Sequence, residues 1–422
     1  MTELTFVNSS TSATYTSISS GVNPSGVTAV PGFTAAGVHC GIRKNKTKLD
    51  LALIMADREC VAAATYTTNK VKAAPIWLTM DHLKNKRARG IIANSGNANC
   101  CAPGDMEAAK KTVAALADAT GFSSEDFIIN STGVIGQSLP VDAITGAVPD
   151  LVKNLSQDVG PAAEAIMTTD TFSKVAAVRC MIGGKEITIG GIAKGSGMIH
   201  PNMGTMFAFL TTDCDIDSDM LQRALSASVS TSYNRISVDG DTSTNDMAAI
   251  LASGSAENPK ITDTGPDYNN FLYALDAVNL KLAKDIARDG EGATKLITCR
   301  ITGAGSVDAG VAIAKSVISS SLVKAAMFGA DANWGRVLCA MGYSGTYFDP
   351  NNVDVSFSSQ AGIIPVCRQS KGLHFDEEAA KNIINQREVT IEITLYEGEN
   401  KAEAYGCDLT YDYVKINGDY RT

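Results

Sequence analysis

The sequence predicts a layered α/β protein. Three observations carry that expectation. The chain has 422 residues, more than one core usually encloses, which points to two lobes or one large α/β unit. Its 45% hydrophobic and 19% charged residues are those of an ordinary soluble globular enzyme. Stretches with the two-residue period of strands alternate along it with stretches of helical period, and no dinucleotide-binding glycine fingerprint interrupts them.

In chain order, residues 9 to 30 are rich in Ser, Thr, Gly and Pro and read as an extended or mobile arm. Leu49 to Asp57 and Cys60 to Thr68 read as two strands of a hairpin separated by a short turn. RGIIAN then reaches the loop NSGNANCCAPGD (Asn94 to Asp105). Behind it MEAAKKTVAALADAT has helical period, with Asp105 as N-cap and Gly121 as stop. The apolar FIIN leads into STGVIG (Ser131 to Gly136), a helical stretch covers 141 to 167, and strands at Val175 to Ile182 and Glu186 to Ile192 deliver Lys194. The second half begins with the short strand MFAFL after Thr205 and a helix near 218 to 231. Phe271 to Arg288 is helical and LITCRITG a strand; three more strands (Val353 to Phe357, Val389 to Tyr396, Glu403 to Leu409) and a helix near Asp376 to Gln386 complete the chain.

Several function classes lose support. The net charge of −9, without a long basic run, disfavours nucleic acid or an anionic membrane as partner. The start MTELTFVNSS lacks basic and apolar signal regions and no apolar run approaches the roughly 20 residues a bilayer span needs, so a cytoplasmic protein is expected. The ten cysteines form no C-x-x-C pair, and His39, His82, His200 and His374 stand apart. Asp239, Asp241 and Asp246 resemble the start of a calcium loop, but the terminal Glu is missing. No metal is expected. Gly290, Gly292 and Lys295 fall short of a phosphate loop, and Ser321 with Lys324 has S-x-x-K spacing without its companion motifs, a coincidence of helical context.

The chemistry is concentrated in AKGSGMIHPNMGTMFAFLTTD, Ala193 to Asp213, where an irregular loop enters a strand at Gly204–Thr205. A threonine hydroxyl is a poor nucleophile at neutral pH, and no histidine stands in a triad-like pattern with it. Breaking the bond before Thr205 would free an α-amine on the same residue, a base of unperturbed pKa about 7.7 to 8.0. The bland alternative is backbone punctuation at a loop-to-strand junction. For the Asn-rich loop the choice lies between a turn that satisfies its own backbone and a site lined with amides. For STGVIG it lies between a simple turn and an oxyanion hole built from exposed N–H groups.

The stretch resembles the self-cleavage motif of the ornithine acetyltransferase family, the glutamate N-acetyltransferases of arginine biosynthesis. NSGNANCCAPGD, STGVIG, TTDTFSK (Thr168 to Lys174), SVDGDTSTND (Ser237 to Asp246), DGEGATKL (Asp289 to Leu296), SLVKAAMFGADANWGRV (Ser321 to Val337) and INGDYRT (Ile416 to Thr422) resemble that family in order and spacing over essentially the whole chain. The resemblance implies a layered α/β/β/α sandwich similar to N-terminal-nucleophile hydrolases, with a smaller α/β lobe. It implies self-cleavage between Gly204 and Thr205 into an α chain, 1–204, and a β chain, 205–422, that remain interlocked as a heterotetramer of two α and two β chains. The activity it implies is ping-pong transfer of an acetyl group from N2-acetylornithine to glutamate. Thr205 is then the nucleophile, Thr132 and Gly133 the oxyanion hole, and Thr169, Lys194, Glu291, Asn417 and Thr422 the substrate contacts. No cofactor is implied, and acetyl-CoA stays open as a further donor. Gly204 and His200 stand where the family more often has alanine. The alternatives are an N-terminal-nucleophile aminopeptidase or hydrolase of related fold and a non-catalytic binding protein, which need not keep Lys194, Thr205 and Glu291 together.

Overall fold

The computed structural model describes residues 5–7, 14–17, 25–200 and 206–419. Gly204, Thr205 and Thr422 lie outside the described residues. The described chain divides into two compact units. One comprises the residues up to Gly195 with 206–234 and 241–283, the other 196–200, 235–240 and 284–419.

The strands in chain order are β1 (Thr5–Val7), β2 (Thr14–Ser17), β3 (Phe33–Val38), β4 (Leu51–Tyr66), β5 (Arg87–Asn94), β6 (Phe127–Ser131), β7 (Lys174–Ile182), β8 (Lys185–Lys194) and β9 (Phe207–Thr212). They continue as β10 (Ile236–Ser237), β11 (Met247–Ala252), β12 (Leu296–Ala304), β13 (Val353–Ser359), β14 (Gly362–Arg368), β15 (Lys371–Gly372), β16 (Glu388–Leu395) and β17 (Asn400–Cys407). The α-helices are α1 (Ala74–His82), α2 (Asp105–Thr120), α3 (Val141–Lys153), α4 (Gly160–Ala165), α5 (Ser218–Thr231), α6 (Pro266–Arg288), α7 (Val307–Ser319), α8 (Ser321–Phe328), α9 (Trp334–Gly342), α10 (Glu377–Ile384) and α11 (Tyr411–Gly418).

In the first unit the strands pair in the order β1-β2-β7-β8-β9-β11-β4-β5-β6, with β3 also on β4. The expected hairpin at 49–68 is a single 16-residue strand, β4. Its register breaks between Met55 and Cys60, where Asp57, Arg58 and Glu59 are exposed, but the chain does not reverse. Instead the two halves of β4 take different partners, Leu51–Ala56 pairing with β3 and Val61–Tyr66 with β11. One strand thus serves two layers, because its charged triplet can face water while both flanks stay apolar.

Side-chain alternation sorts the core. Ala52, Ile54 and Ala56 pack with Phe33, Ile91, Phe207, Phe209 and Leu251 between the strand layers. Leu51, Leu53 and Met55 point the other way, onto Leu78 of α1, Val113 and Leu116 of α2, and Ile144, Val148 and Leu151 of α3. On the far layer a Cβ added to Gly191 would meet Leu210 at 2.6 Å and Leu282 at 3.0 Å, so β8 and β9 lie directly under α6. Helix, sheet, sheet and helix succeed one another, the sandwich expected from the sequence. β9 and β11, which follow residue 204, insert between β8 and β4, which precede it.

Three further expectations change. Within the arm at 9–30, Thr14–Ser17 is a strand between β1 and β7 and Gly26–Ala29 a turn of 3-10 helix, with Val27 and Val30 in the core. Gly104, in left-handed conformation, precedes α2, so Asp105 is the first helical residue rather than the cap; Gly121, at φ 76°, ends the helix as expected. The helical stretch at 141–167 is broken into α3 and α4, because Ser156 leaves to exchange backbone hydrogen bonds with Ala35.

The second unit is the smaller α/β lobe, a sheet in the order β10-β17-β12-β16-β13-β14-β15. Ile297, Cys299, Ile301, Val355, Ile391 and Ile393 pack one face against α7 to α10, while Arg300 on the other face is bound by Glu392 at 2.9 Å and Glu403 at 2.6 Å.

Candidate active site

β5 and β6 run parallel and end in register at Asn94 and Ser131, so the Asn-rich loop and STGVIG leave one edge side by side. Ser131 Oγ donates to Asn94 Oδ1 at 2.6 Å, and Asn94 Nδ2 donates to the Asn97 carbonyl at 2.9 Å. Asn97 Nδ2 in turn donates to the Gln137 carbonyl at 3.1 Å, and Asn97 Oδ1 accepts from the Asn99 N–H at 2.7 Å. Asn245, from SVDGDTSTND, donates to the Ala98 and Ser131 carbonyls at 2.7 Å each. The amides of this loop satisfy backbone groups, which is why so many asparagines stand together there.

That frame decides how Thr132 and Gly133 can act. The Thr132 N–H is committed to the Asn94 carbonyl at 2.9 Å, which leaves its hydroxyl. Lys194 Nζ donates to Thr132 Oγ1 at 3.1 Å, so the hydroxyl's own proton is free for a further acceptor. The Gly133 N–H donates to no described residue. Gly133 has φ 131°, and a Cβ there would meet the Gly96 carbonyl carbon at 2.3 Å and the Asn97 nitrogen at 2.5 Å, so only glycine can run this close to the Asn-rich loop. Adjacent residues thus offer one hydroxyl and one backbone N–H, the donor pair an oxyanion needs.

Lys194 ends β8 opposite Phe207, is 2% exposed, and places its ammonium 5.7 Å from the Phe207 ring centroid. The motif TTDTFSK supplies a buried anion to this neighbourhood. Asp170 Oδ1 accepts from Lys174 Nζ and from the Gly195 N–H, both at 2.7 Å, and Asp170 Oδ2 from the Thr168 N–H at 2.9 Å. Burial pushes the Asp170 carboxyl up, but the Lys174 and Lys194 charges and these hydrogen bonds outweigh it and bring the pKa down to about 2. Thr169 lies in the same turn, half-buried, with no side-chain hydrogen bond to the described residues.

In the second unit Asn417 Nδ2, on α11, donates to Glu291 Oε2 at 2.7 Å; Glu291 is 6% exposed, and its other oxygen has no partner among the described residues. The DGEG turn holds α11 in place. The Thr410 hydroxyl donates to the Gly292 carbonyl at 2.7 Å, and a Cβ on Gly292 would meet the Tyr413 nitrogen at 2.8 Å. His200 Nδ1 lies 3.0 Å from Ser237 Oγ. Asp239 accepts the N–H groups of Met198 at 2.6 Å and Ile199 at 2.8 Å, a loop-bracing role in place of the calcium pattern. Lys295 Nζ donates to the Met327 carbonyl at 2.7 Å, and buried Lys324 binds the Cys407 carbonyl, which accounts for both lysines structurally. Among the described residues no group of three or more His, Cys, Asp or Glu is arranged to hold a metal, and no single helix is long and apolar enough to cross a membrane.

The profile of the ArgJ family matches residues 34–422. The chain belongs to the ArgJ family. The arginine biosynthesis bifunctional protein ArgJ of Symbiobacterium thermophilum is 50% identical over 400 residues, 94% of this chain and 98% of that one. ArgJ 1 of Clostridium acetobutylicum is 49% identical over 403 residues, 95% and 98% of the two chains. The crystal structure of ArgJ from Bacillus halodurans, 47% identical, covers 50% of this chain and 97% of that chain with a TM-score of 0.47. Membership of the ArgJ family makes the chain an enzyme of arginine biosynthesis.

Of the residues singled out in the sequence, the structure joins Thr132 to Lys194 in the first unit and Glu291 to Asn417 in the second. Asp170 and Lys174 are not singled out by the sequence. Asp170 stands beside Thr169 in a quoted motif, which was the available signal; Lys174 shows its role only as the partner of Asp170.

Proposed function

We propose that the enzyme moves an acetyl group from N2-acetylornithine to glutamate through an acetyl-threonine intermediate on Thr205, after self-cleavage of the Gly204–Thr205 bond. The observation that carries the reading is the Lys194–Thr132 contact at 3.1 Å beside a Gly133 N–H that no described residue engages, so that the Thr132 hydroxyl and this N–H form a donor pair suited to a tetrahedral oxyanion, in a member of the ArgJ family.

The steps follow from the residues. Thr205 Oγ attacks the acetyl carbonyl while its proton passes to the α-amine of the same residue. The Thr132 hydroxyl and Gly133 N–H take the negative oxygen. The carbon–nitrogen bond breaks, the proton leaves with the ornithine nitrogen, and the acetyl group stays as an ester on Thr205. Glutamate's amine then attacks that ester and the steps run in reverse. Lys194 and Thr169 suit the α-carboxylate end of the amino acid. Glu291, with one carboxylate oxygen unengaged by the described residues and the other fixed by Asn417, suits a cationic amine, and Thr422 completes the set. Relatives named bifunctional support a second activity, and acetyl-CoA as a further acetyl donor is part of this proposal.

Intact mass and N-terminal sequencing of the purified protein, followed by initial-rate kinetics, test this. Two chains, the second beginning at Thr205, and parallel double-reciprocal lines for N2-acetylornithine and glutamate are expected. An unbroken chain that is fully active contradicts the reading, and release of acetate to water at the same rate with and without glutamate makes the enzyme a hydrolase instead.

A further inference from the structure

Cys100 and Cys101 adjoin in the Asn-rich loop, and their Sγ atoms lie 3.6 Å apart. On regular backbone the side chains of adjacent residues diverge, to opposite faces of a strand or around a helix, so touching thiols on neighbouring residues need an unusual turn. Cys101 supplies it: its φ is 57°, in the left-handed region that few side chains adopt, and Asn99 enters the same region at φ 47°. The two thiols differ in access. Cys101 is exposed, whereas Cys100 is 1% exposed, and burial pushes its thiol up to about 11.

Both residues belong to the frame of the candidate oxyanion pair. Three backbone hydrogen bonds stitch this loop to STGVIG: the Ala98 N–H donates to the Val134 carbonyl at 2.9 Å, the Val134 N–H to the Gly96 carbonyl at 3.4 Å, and the Gly136 N–H to the Cys100 carbonyl at 2.9 Å. Gly133 lies within that seam. The bond from Gly136 ends on the carbonyl of the peptide group that joins the two cysteines.

We propose that Cys100 and Cys101 are a reversible oxidation site, at which hydrogen peroxide closes a disulfide between the two residues and slows acetyl transfer. The exposed Cys101 thiolate attacks one peroxide oxygen, the oxygen–oxygen bond breaks, and the sulfur becomes a sulfenic acid while the other oxygen leaves as water with the thiol's proton. Cys100 Sγ, already in contact, then attacks that sulfur. The sulfur–oxygen bond breaks, and the departing hydroxide takes the Cys100 proton to form a second water. The thiols together give up two hydrogens and two electrons, and one peroxide is reduced to two waters.

Closure brings the sulfurs from 3.6 Å to about 2.05 Å. Adjacent Cα atoms stand about 3.8 Å apart, short of the about 4.4 to 6.8 Å usual for a disulfide, so the small ring is strained and a dithiol reopens it readily. That ring contains the Cys100–Cys101 peptide group, so closing it turns the Cys100 carbonyl and disturbs the hydrogen bond from Gly136. With the seam loosened, the Gly133 N–H and the Thr132 hydroxyl lose their mutual placing, which lowers kcat more than it raises KM. This consequence rests on the oxyanion pair proposed above, whereas the oxidation itself does not.

The test treats the purified enzyme with a few equivalents of hydrogen peroxide, alkylates the remaining thiols and weighs the tryptic peptide 90–110, which holds both cysteines. Fragmentation separates ring closure from oxygen taken up by Met106 in the same peptide. The peptide should be lighter by two hydrogens and unalkylated, with kcat lower by on the order of tenfold or more and KM for N2-acetylornithine within about threefold. Dithiothreitol should reverse both changes. Cys100→Ala should gain oxygen on Cys101 in place of a ring and keep its kcat after treatment. Cys101→Ser, at the exposed position, should keep its kcat as well, and it serves if the buried substitution prevents folding. Two alkylatable thiols on the treated peptide, a closed ring with unchanged kcat, or equal inhibition of wild type and Cys101→Ser each overturns the proposal. An untreated wild type that transfers no acetyl sinks the parent reading, and the mass of peptide 90–110 then decides the oxidation site by itself.

Discussion

Replacing Asp170 by Asn should destabilise the first unit by about 3 to 5 kcal/mol at pH 7, the usual range for stripping one partner from a buried ion pair. The magnitude follows from the geometry. The Asp170 and Lys174 side chains are both 0% exposed, their charged atoms lie 2.7 Å apart, and the same carboxylate holds the Gly195 and Thr168 N–H groups. A carboxyl brought from its ordinary value of 3.8 to about 2 contributes on the order of 2 kcal/mol. The remainder comes from taking the carboxylate charge away from the side of the buried Lys174 ammonium. The sign with pH is fixed: the folded pKa is depressed, so this contribution is complete above the unfolded carboxyl pKa near 3.9 and is lost as pH falls towards about 2. Urea unfolding followed by circular dichroism measures it, with Lys174→Met and the double variant closing the cycle. The double variant should cost at least about 2 kcal/mol less than the sum of the two single variants. Costs below about 1 kcal/mol for Asp170→Asn, or additive costs for the pair, would refute the argument.

Thr132→Ala should lower kcat by about a hundredfold to a thousandfold through loss of one oxyanion donor while KM changes little; steady-state kinetics with N2-acetylornithine read it. Gly133→Ala should yield poorly folded protein, because the added methyl would lie 2.3 Å from the Gly96 carbonyl carbon, and soluble yield with thermal unfolding would show it. Removing residues 417–422 should leave self-cleavage intact, since that step uses only the chain's own carbonyl, while abolishing most acetyl transfer; full transfer by the truncated protein would take the tail out of the site. Glu291→Gln should raise KM for N2-acetylornithine by about tenfold or more with a smaller change in kcat, as expected for a group that binds rather than reacts.

Much of the fold was legible because its signals are local. The helices at Ser218–Thr231 and Pro266–Arg288 and the strands Lys174–Ile182 and Lys185–Lys194 show their periods in isolation. β4 was misread because Asp57-Arg58-Glu59 looks like a polar turn, and only the positions of β3 and β11 make it a crossing between layers. β11 and β14 were missed, since the all-buried MAAILA lacks alternation and β14 carries Pro365. In the candidate site the motifs draw attention to Thr132, Gly133 and Lys194, but the commitment of the Thr132 N–H to Asn94 is a tertiary fact. Asp246 reads in the sequence as a possible metal ligand, whereas its full burial is a tertiary fact.

The central claim, acetyl transfer through a threonine freed by cleavage, is tested most directly by incubating the purified enzyme with N2-acetylornithine in the absence of glutamate and weighing its chains. The account predicts the added mass of one acetyl group on the chain that begins at Thr205, removed when glutamate is supplied. Steady transfer of acetyl to glutamate with no acetylated chain at any time would contradict it.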